Sequence, residues 1–300
     1  MRRSFFSAVL LAMLCAATAP TVALAGDVAT RLPFEQDQEL KRELSRIKTK
    51  MVYHGGPVMT DAKNLYVIYY GSFTGTQHDI LDNFLANLGG SGAFSANTSY
   101  YDAQQQFLQN VLTYAPETDS YDDDYSLGTT LSGHFDTTIV KNAIAGGHLP
   151  ADANGMYLVT ISTDVKLPRT VWCAYHSHSN NIVTGMDIKY AVAPNLPPSL
   201  FTGCSGNVAT YHDTTSPNDD VGMDAVCDSL VHEISETATD PSLNAWFTRT
   251  GAENGDLCNF VYGPTFLAAN GSHANVTLGT RDYLVQQIWD RLALVCSNGP

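Results

Sequence analysis

The chain has 300 residues, with 16 Lys and Arg against 30 Asp and Glu, which gives a formal net charge of −14. An acidic surface repels phosphate backbones and anionic lipid, so this balance argues against nucleic-acid binding and attachment to membrane surfaces. Hydrophobic residues make up 44% of the chain and charged residues only 15%. That composition supplies a full core and excludes disorder for the bulk of the protein.

The first 25 residues have the pattern of a secretory signal peptide. Arg2 and Arg3 form a basic start, an apolar run covers residues 5–17, and Ala23-Leu24-Ala25 supplies a small-x-small cleavage site. No later segment reaches the roughly 18 uninterrupted apolar residues that a membrane span needs. We therefore expect a secreted, extracellular protein without a membrane span.

Residues 26–52 form a basic segment whose apolar residues recur at helical spacing. The pattern predicts an amphipathic helix, which we interpret as a packing helix with a solvated basic face. A pro-segment or a docking helix is the functional alternative. Residues 53–300 contain no internal repeat and no low-complexity linker, so we predict a single domain there.

Apolar runs and helical spacing predict the elements of that domain. The predicted strands cover 65–70, 156–161, 170–175, 188–192, 274–278 and 283–289. The predicted helices cover 77–88, 102–113, 135–145 and 220–239, with Phe107 and Val111 buried in the second of them. Residues 119–124 are read as an acidic, solvated turn. Strands and helices mixed in one continuous run indicate an α+β fold with a mixed β-sheet.

Five cysteines follow the signal segment, and none belongs to a CxxC pair, which disfavours a structural zinc knuckle. Two disulfides and one free thiol are the simplest count for an oxidising compartment. Cys227 lies in an apparently buried helix, so we leave it free. The expected pairs are Cys173–Cys204 and Cys258–Cys296, although spacing alone does not determine the connectivity.

The segment most informative about chemistry is the predicted helix 220–239, which contains His232-Glu233-x-x-Glu236. His232 and Glu236 are four positions apart, so both side chains leave the same face of one helical turn. This spacing is that of the HExxH zinc motif with its second histidine replaced by glutamate, and carboxylate oxygen is also a zinc ligand. Glu233 then lies beside the open position, where it can accept a proton from the attacking water.

A third ligand is required for such a site. Asp256 follows His232 by 24 positions, a spacing analogous to that of the carboxylate ligand in thermolysin-like enzymes. Glu253 is the competing candidate, and His176 is a further candidate, as a ligand or as an oxyanion stabiliser. The order of elements, with strands and a helix before the motif helix, is analogous to a zincin-like architecture.

The ordinary interpretation of an HExxE match is a solvated helix face, because Glu is common on helix surfaces. Here Val231 and Ile234 flank the polar residues and extend an apolar stripe, which favours a central, packed helix. Buried His and Glu side chains need partners or a metal, since unpaired buried charge is costly. A serine hydrolase is disfavoured, because Gly203-Cys204-Ser205-Gly206 is not G-x-S-x-G. Cys173 is favoured as a disulfide partner over a nucleophile.

Several dispersed motifs resemble those of the EXORDIUM / phosphate-induced protein 1 family, over about residues 53–296. They are Tyr53-His-Gly-Gly-Pro57-Val-Met, the run 65–70 with Gly71, Cys173-x-x-His176, 217–224, His232-Glu-x-x-Glu236, Asp240-Pro-x-x-Asn244-Ala-Trp246, Glu253-x-x-Asp256-Leu-Cys258 and Arg281-x-Tyr-Leu-Val-Gln286. The resemblance implies an extracellular protein of the cell wall or apoplast, linked in plants to growth and brassinosteroid response, without an established reaction. The basic N-terminal segment and a reduced Cys204 region depart from the plant pattern, which makes a microbial secreted member plausible.

Two functional hypotheses follow. The first is a secreted zinc-dependent hydrolase of the peptidase type, with Zn²⁺ held by His232, Glu236 and either Asp256 or Glu253, and with Glu233 as general base. The second is a noncatalytic extracellular protein that binds cell-wall polysaccharide or a receptor in growth signalling. Aromatic side chains stack on sugars, and the candidates for that role are Trp172, Trp246 and Trp289, although core packing is the ordinary role of each.

Overall fold

The structure is a computed structural model that describes residues 50–168, 172–198 and 203–299. The expected signal peptide lies outside these residues, as does the basic segment apart from residues 50–52. Within those last residues, Met51 begins a strand and does not continue the expected helix.

The central element is a six-stranded mixed sheet built from β2 to β7. Strand β1 and strands β8 to β14 form four two-stranded pairs beside it. The strands are β1 (Met51–Tyr53), β2 (Lys63–Tyr70), β3 (Leu112–Thr113), β4 (Ser120–Asp123), β5 (Gly155–Ile161), β6 (Tyr175–Val183), β7 (Met186–Val192), β8 (Trp246–Thr248), β9 (Phe266–Leu267), β10 (His273–Ala274), β11 (Val276–Leu278), β12 (Arg281–Tyr283), β13 (Ile288–Asp290) and β14 (Val295–Ser297).

Helices connect and cover the strands of the sheet. The α-helices are α1 (Gly75–Leu88), α2 (Gly92–Ser95), α3 (Pro116–Asp119), α4 (Phe135–Ala145), α5 (Gly206–Ala209) and α6 (Val221–Thr239), with 3₁₀ turns at Ala96–Ser99 and Asp256–Cys258. None of the helices in the described ranges is long and apolar enough to cross a membrane.

The sheet is parallel except at one edge. Strand β2 pairs in parallel with β5 and, on its other side, with β3 and then β4. Strand β7 pairs in parallel with β5, and the edge strand β6 runs antiparallel to β7. The prediction of an α+β fold with a mixed sheet is therefore confirmed.

Both faces of the sheet are covered, which explains why β2 is apolar from Leu65 to Tyr70 and why Thr160 is the one polar residue in β5. Alternate residues of β2 pack on opposite sides: Leu65 and Val67 contact the cluster that contains α1 and α6, whereas Tyr66 and Ile68 contact the cluster that contains α4. The motif helix α6 is thereby fixed against the sheet, and its residues on the sheet side are almost completely buried.

Two expectations between residues 100 and 125 are wrong. The predicted helix 102–113 is a loop that ends in β3, and Phe107 is 52% exposed. The Asp102 carboxylate accepts hydrogen bonds from the backbone of Gln104 and Gln106, which holds the chain in a turn that competes with a helix. The expected acidic turn at 119–124 contains strand β4, because its backbone pairs with β2.

The start of the antiparallel edge strand β6 was also predicted incorrectly. A strand was predicted at 170–175. Residues 170 and 171 lie outside the described residues, and β6 begins only at Tyr175. The residues of β6 are polar, and they form a strand because they pair with β7. The predicted tail strands are present only as the short strands β10 to β13.

The cysteine prediction is confirmed. Disulfides join Cys173 to Cys204 and Cys258 to Cys296, and Cys227 is a buried free thiol.

Candidate metal centre

Helix α6 has one apolar side and one polar side, and both are buried. The Asp220 carboxylate caps its N-terminus by accepting a hydrogen bond from Met223, and Pro241 follows its C-terminal end. Val231 and Ile234 belong to the core against the sheet. The opposite side lines a cleft of about 520 Å³ with five polar residues: Asp228, Ser229, His232, Glu233 and Glu236.

The second wall of the cleft is the turn around Glu253 and Asp256. The Asp256 backbone N–H donates to Glu236 Oε1 at 3.0 Å, and the Asp256 carboxylate accepts from the Glu253 backbone at 3.0 Å. The disulfide at Cys258 anchors the end of this turn to β14. These contacts place two carboxylates opposite the motif helix.

The third wall is the beginning of β6, where His176 lies. Its Nε2 atom is 3.1 Å from Glu253 Oε2 and 3.4 Å from Glu236 Oε2. The His176 side chain is only 5% exposed. His176 therefore lies between the motif helix and the acidic turn.

His232 is held in one orientation by a neighbour that sequence did not single out. Its Nδ1 atom is 3.1 Å from Gln286 Oε1, and the Gln286 amide nitrogen donates to the Gly255 carbonyl at 3.0 Å. With Nδ1 donating to Gln286, Nε2 faces Glu236 Oε1 at 2.9 Å and Asp256 Oδ1 at 3.7 Å. A second neighbour that fixes the ring is typical of metal-binding histidines. Gln286 ends the motif Arg281-x-Tyr-Leu-Val-Gln286, so the family resemblance was the signal by which the sequence could have identified it.

All six residues predicted from sequence are brought together. The donor atoms of five of them form two groups in which all members lie within 4.8 Å of one another, and the groups share Glu236. The sixth residue, Glu253, belongs to neither group and contacts His176. One group is His232, Glu236 and Asp256, and the other is His176, Glu233 and Glu236.

Burial and mutual charge set the protonation of the cluster. Burial raises the pKa of the Glu233 carboxyl and that of Glu253. Burial also opposes ionisation of Glu236, but the His232 charge and hydrogen bonds from both imidazoles lower its pKa to about 2. For His176 and His232, burial acts against the protonated form, and the surrounding carboxylates outweigh it, so both pKa values are raised.

The mouth of the cleft is apolar. Trp172, Leu243 and Phe260 line it together with the Cys173–Cys204 disulfide. Of the other tryptophans proposed for sugar stacking, Trp246 is 2% exposed and packs against Tyr100 and Tyr101. Trp246 is therefore a core residue, whereas Trp172 is available to a molecule in the cleft.

The chain that forms this cleft is similar to a known protein family. The family model described as "Phosphate-induced protein 1 conserved region" matches residues 51–298. The chain is 27% identical to Protein EXORDIUM-like 3 of Arabidopsis thaliana over 88% of this chain and 87% of the relative. It is 28% identical to Protein EXORDIUM-like 5 of the same plant, over 83% of this chain and 77% of the relative. No solved structure matches the chain.

Proposed function

The chain belongs to the phosphate-induced protein 1 family, and we propose that within this family it is a secreted zinc-dependent hydrolase of the peptidase type. The observation that carries the proposal is the convergence of His232 and Glu236 from one helical turn with Asp256 from a separate turn. One imidazole nitrogen and two carboxylate oxygens match the ligand types of catalytic zinc sites, which use three protein ligands and leave one position open.

The donor set fits zinc on two further grounds. Glu236 and His232 are largely buried, and a neutral His232 that binds a metal no longer compensates the Glu236 charge, so a divalent cation would take over that role. Gln286 also orients the His232 ring through Nδ1, so that Nε2 faces the carboxylates. When bound, zinc would supply a Lewis acid that polarises the substrate carbonyl.

The side chains around this site would transfer protons, stabilise charge and contact the substrate. Glu233 is 5% exposed and adjacent in sequence to His232, so it can accept the proton of the attacking water and pass it to the leaving amine. His176 lies on the opposite wall, where its Nε2 is directed into the cleft and can stabilise negative charge on the carbonyl oxygen. Trp172, Leu243 and Phe260 at the mouth would contact the apolar side chains of an extracellular peptide.

A zincin-like architecture is part of the proposal. Its support is that the motif helix packs across the sheet and that the antiparallel edge strand β6 contributes His176 to the same cleft. Secretion is supported by the signal-like residues 1–25 and by the two disulfides, since disulfides persist in oxidising compartments.

The second candidate function is noncatalytic binding of a cell-wall polysaccharide or of a receptor in growth signalling. It is favoured by the aromatic rings of Trp172 and Phe260 at the cleft mouth, which could stack on sugars. Retention of the protein on insoluble polysaccharide that is unaffected by a chelator would support this function. Retention that disappears on chelation would instead assign binding to the metal centre.

Metal analysis of the purified full chain tests the proposed hydrolase. We expect stoichiometric zinc in the wild type and its loss in His232→Ala. The matched control is His178→Ala, since His178 lies two residues beyond His176 on the same strand and pairs with Asp187 outside the cluster. Absence of stoichiometric zinc, or unchanged zinc in His232→Ala, would refute the proposal.

Activity is tested separately with a pool of unstructured peptides, whose cleavage is followed by mass spectrometry. Glu233→Gln should retain zinc and lower the cleavage rate by roughly 10²–10⁴-fold, the usual contribution of a general base. Zinc binding without cleavage of any peptide in the pool would remove the peptidase assignment and leave the metal site.

A further inference from the structure

We infer that the cluster holds two divalent cations that share Glu236 as a bridging ligand. This inference rests on the proposed function, because the first cation is the zinc ion between His232, Glu236 and Asp256. The second cation lies on the opposite side of the same carboxylate, between Glu236, His176 and Glu253.

The two oxygens of Glu236 face different histidines. Oε1 is 2.9 Å from His232 Nε2, and Oε2 is 3.4 Å from His176 Nε2. The two imidazoles come from separate elements, α6 and β6, and approach the carboxylate from its two ends. A carboxylate placed in this way is suited to bridge two ions, and bridged ions in two-metal hydrolases are roughly 3.5–4 Å apart.

One donor atom near the second position is buried and has no hydrogen-bond partner among the described residues. Glu253 Oε2 is 3.1 Å from His176 Nε2, and Glu253 Oε1 is a buried atom without a hydrogen-bond partner in the described structure. Glu233 is 5% exposed, and its carboxylate oxygens are accessible from the cleft, which suits the general base. Glu233 also has an oxygen within 4.8 Å of the donors of His176 and Glu236. Buried polar atoms ordinarily have a partner, so the unpartnered oxygen of Glu253 favours a cation bound beside His176.

Charge favours two ions over one. Five carboxylates line the cleft, and no Lys or Arg of the described residues does so. Asp228 accepts hydrogen bonds from the Tyr262 hydroxyl and the Gln286 backbone, which leaves four carboxylates for the cluster, those of Glu233, Glu236, Glu253 and Asp256. Metal ligation requires neutral imidazoles and ionised carboxylates, so binding of a single divalent cation would leave the four carboxylates with a net charge of about −2, at a cost of several kcal/mol per uncompensated ion. Two divalent cations match the four carboxylates.

The arrangement also explains why two carboxylates of the acidic turn compete as the third ligand. Asp256 lies near His232, and Glu253 lies near His176, so each serves a different ion. Glu233 remains available as the general base beside both positions. With His176 as its ligand, the second cation would replace the imidazole in stabilising negative charge on the carbonyl oxygen.

Counting zinc per chain tests the inference. The purified full chain is dialysed against excess zinc, freed of unbound metal and measured by plasma mass spectrometry. We expect two zinc ions per chain. One ion per chain would overturn this inference and leave the proposed hydrolase intact, whereas none would overturn both.

Variants locate the second ion. Glu253→Gln should lower the count from two to one, and Glu233→Gln should retain two. The control is Glu117→Gln, because Glu117 is exposed on the short helix α3. Two ions in Glu253→Gln, or one ion in Glu233→Gln, would overturn the assignment of the ligands.

Cobalt provides a readout that does not depend on activity or on one variant. Two Co²⁺ ions bridged by a carboxylate are magnetically coupled, so the paramagnetic resonance signal per ion should fall when the second equivalent is added to metal-free protein. His176→Ala should bind one equivalent and lack this coupling, with near-ultraviolet circular dichroism showing that it is folded. Full, uncoupled signal from two equivalents in the wild type would refute the shared ligand.

Discussion

Both sides of helix α6 are largely buried, and they differ in what they bury. The side facing the sheet is apolar, and Leu230 and Ile234 there are at most 1% exposed. The side facing the cleft carries His232, Glu233 and Glu236. The two glutamates are about 5% exposed. Burial of apolar surface stabilises the fold, whereas burial of these charges is costly unless a partner compensates them.

The difference separates the part of the helix that maintains the fold from the part that we propose binds the metal. The apolar side depends on volume and close packing, so hydrophobic substitutions that conserve volume should cost less than about 1.5 kcal/mol there. The cleft side needs particular atoms from α6, β6 and the acidic turn at particular distances. Changes on the two sides should therefore separate stability from metal binding.

The largest effect on stability is expected on the sheet side. Leu230→Ala removes buried methyl groups from the main core and should lower the free energy of unfolding by about 2–5 kcal/mol. Zinc content at saturating metal should stay unchanged in the folded protein. Denaturant unfolding with zinc analysis measures both.

Leu292→Ala is the matched control, because Leu292 is 66% exposed and should change stability by less than about 0.5 kcal/mol. If Leu230→Ala abolished zinc binding while remaining folded, the proposed separation of the two sides would be wrong.

The second effect involves the disulfide behind the acidic turn. Replacing Cys258 and Cys296 together by serine should cost about 2–4 kcal/mol of stability, and it should also weaken zinc binding, since Cys258 ends the turn that carries Asp256. The Cys173–Cys204 bridge closes a loop of similar length, 31 residues against 38, so chain entropy predicts a similar loss of stability for its removal.

Titration of zinc into both double variants distinguishes them. Cys173–Cys204 lies at the cleft mouth, so its removal should leave zinc affinity close to that of the wild type. Equal weakening in both variants would mean that general destabilisation, and not the acidic turn, controls the affinity.

Sequence patterns predicted the sheet side well and the cleft side only in part. Strand β2, helix α4 and helix α6 lie within two residues of their predicted bounds, because apolar periodicity is strong in each. The polar strand β6 has no such pattern, and its start depends on pairing with β7.

The candidate site was predicted as a set of residues but not as an arrangement. Spacing on one helix identifies His232 and Glu236, since both project from one turn. The meeting of Glu236 with His176, and of His232 with Gln286, depends on how distant elements pack. No periodicity within one segment contains that information.

A buried acid without an imidazole partner provides the third test. Burial raises the pKa of Asp224 to about 6, although Asn218 donates two hydrogen bonds to its carboxylate. The raised pKa means that the folded state binds the proton more tightly than the unfolded state, so this group's contribution to stability is lost as pH rises from about 4 to about 6.

Asp224→Asn cannot ionise and should lack this loss. The stability of the wild type relative to Asp224→Asn should therefore fall by about 2–3 kcal/mol between pH 4 and pH 6.5. Urea unfolding at several pH values measures the difference, and exposed Asp79→Asn is the control. A difference that is constant with pH would show that Asp224 ionises alike in both states.

The smallest expected change in stability tests the cleft side alone. A Cβ atom on Gly255 would lie 2.8 Å from the His232 ring and 3.0 Å from Glu236 Oε1. The Gly255 φ of −71° suits alanine, so only this steric contact opposes Gly255→Ala. The His232 ring must therefore shift to make room for the Cβ atom. Because Gln286 holds the ring in place, this shift should lower the free energy of unfolding by about 1–3 kcal/mol.

Displacement of a ligand ring by this route should weaken zinc binding by about 10–100-fold, comparable to the loss of a supporting neighbour. Gly75→Ala is the control, since a Cβ there meets no atom within 4 Å and should leave zinc affinity unchanged. Zinc titration of the two variants compares them directly. Wild-type zinc affinity in Gly255→Ala would mean that the close approach of the acidic turn to His232 does not contribute to the metal centre. The comparison between the two sides of α6 would then lose its geometric basis.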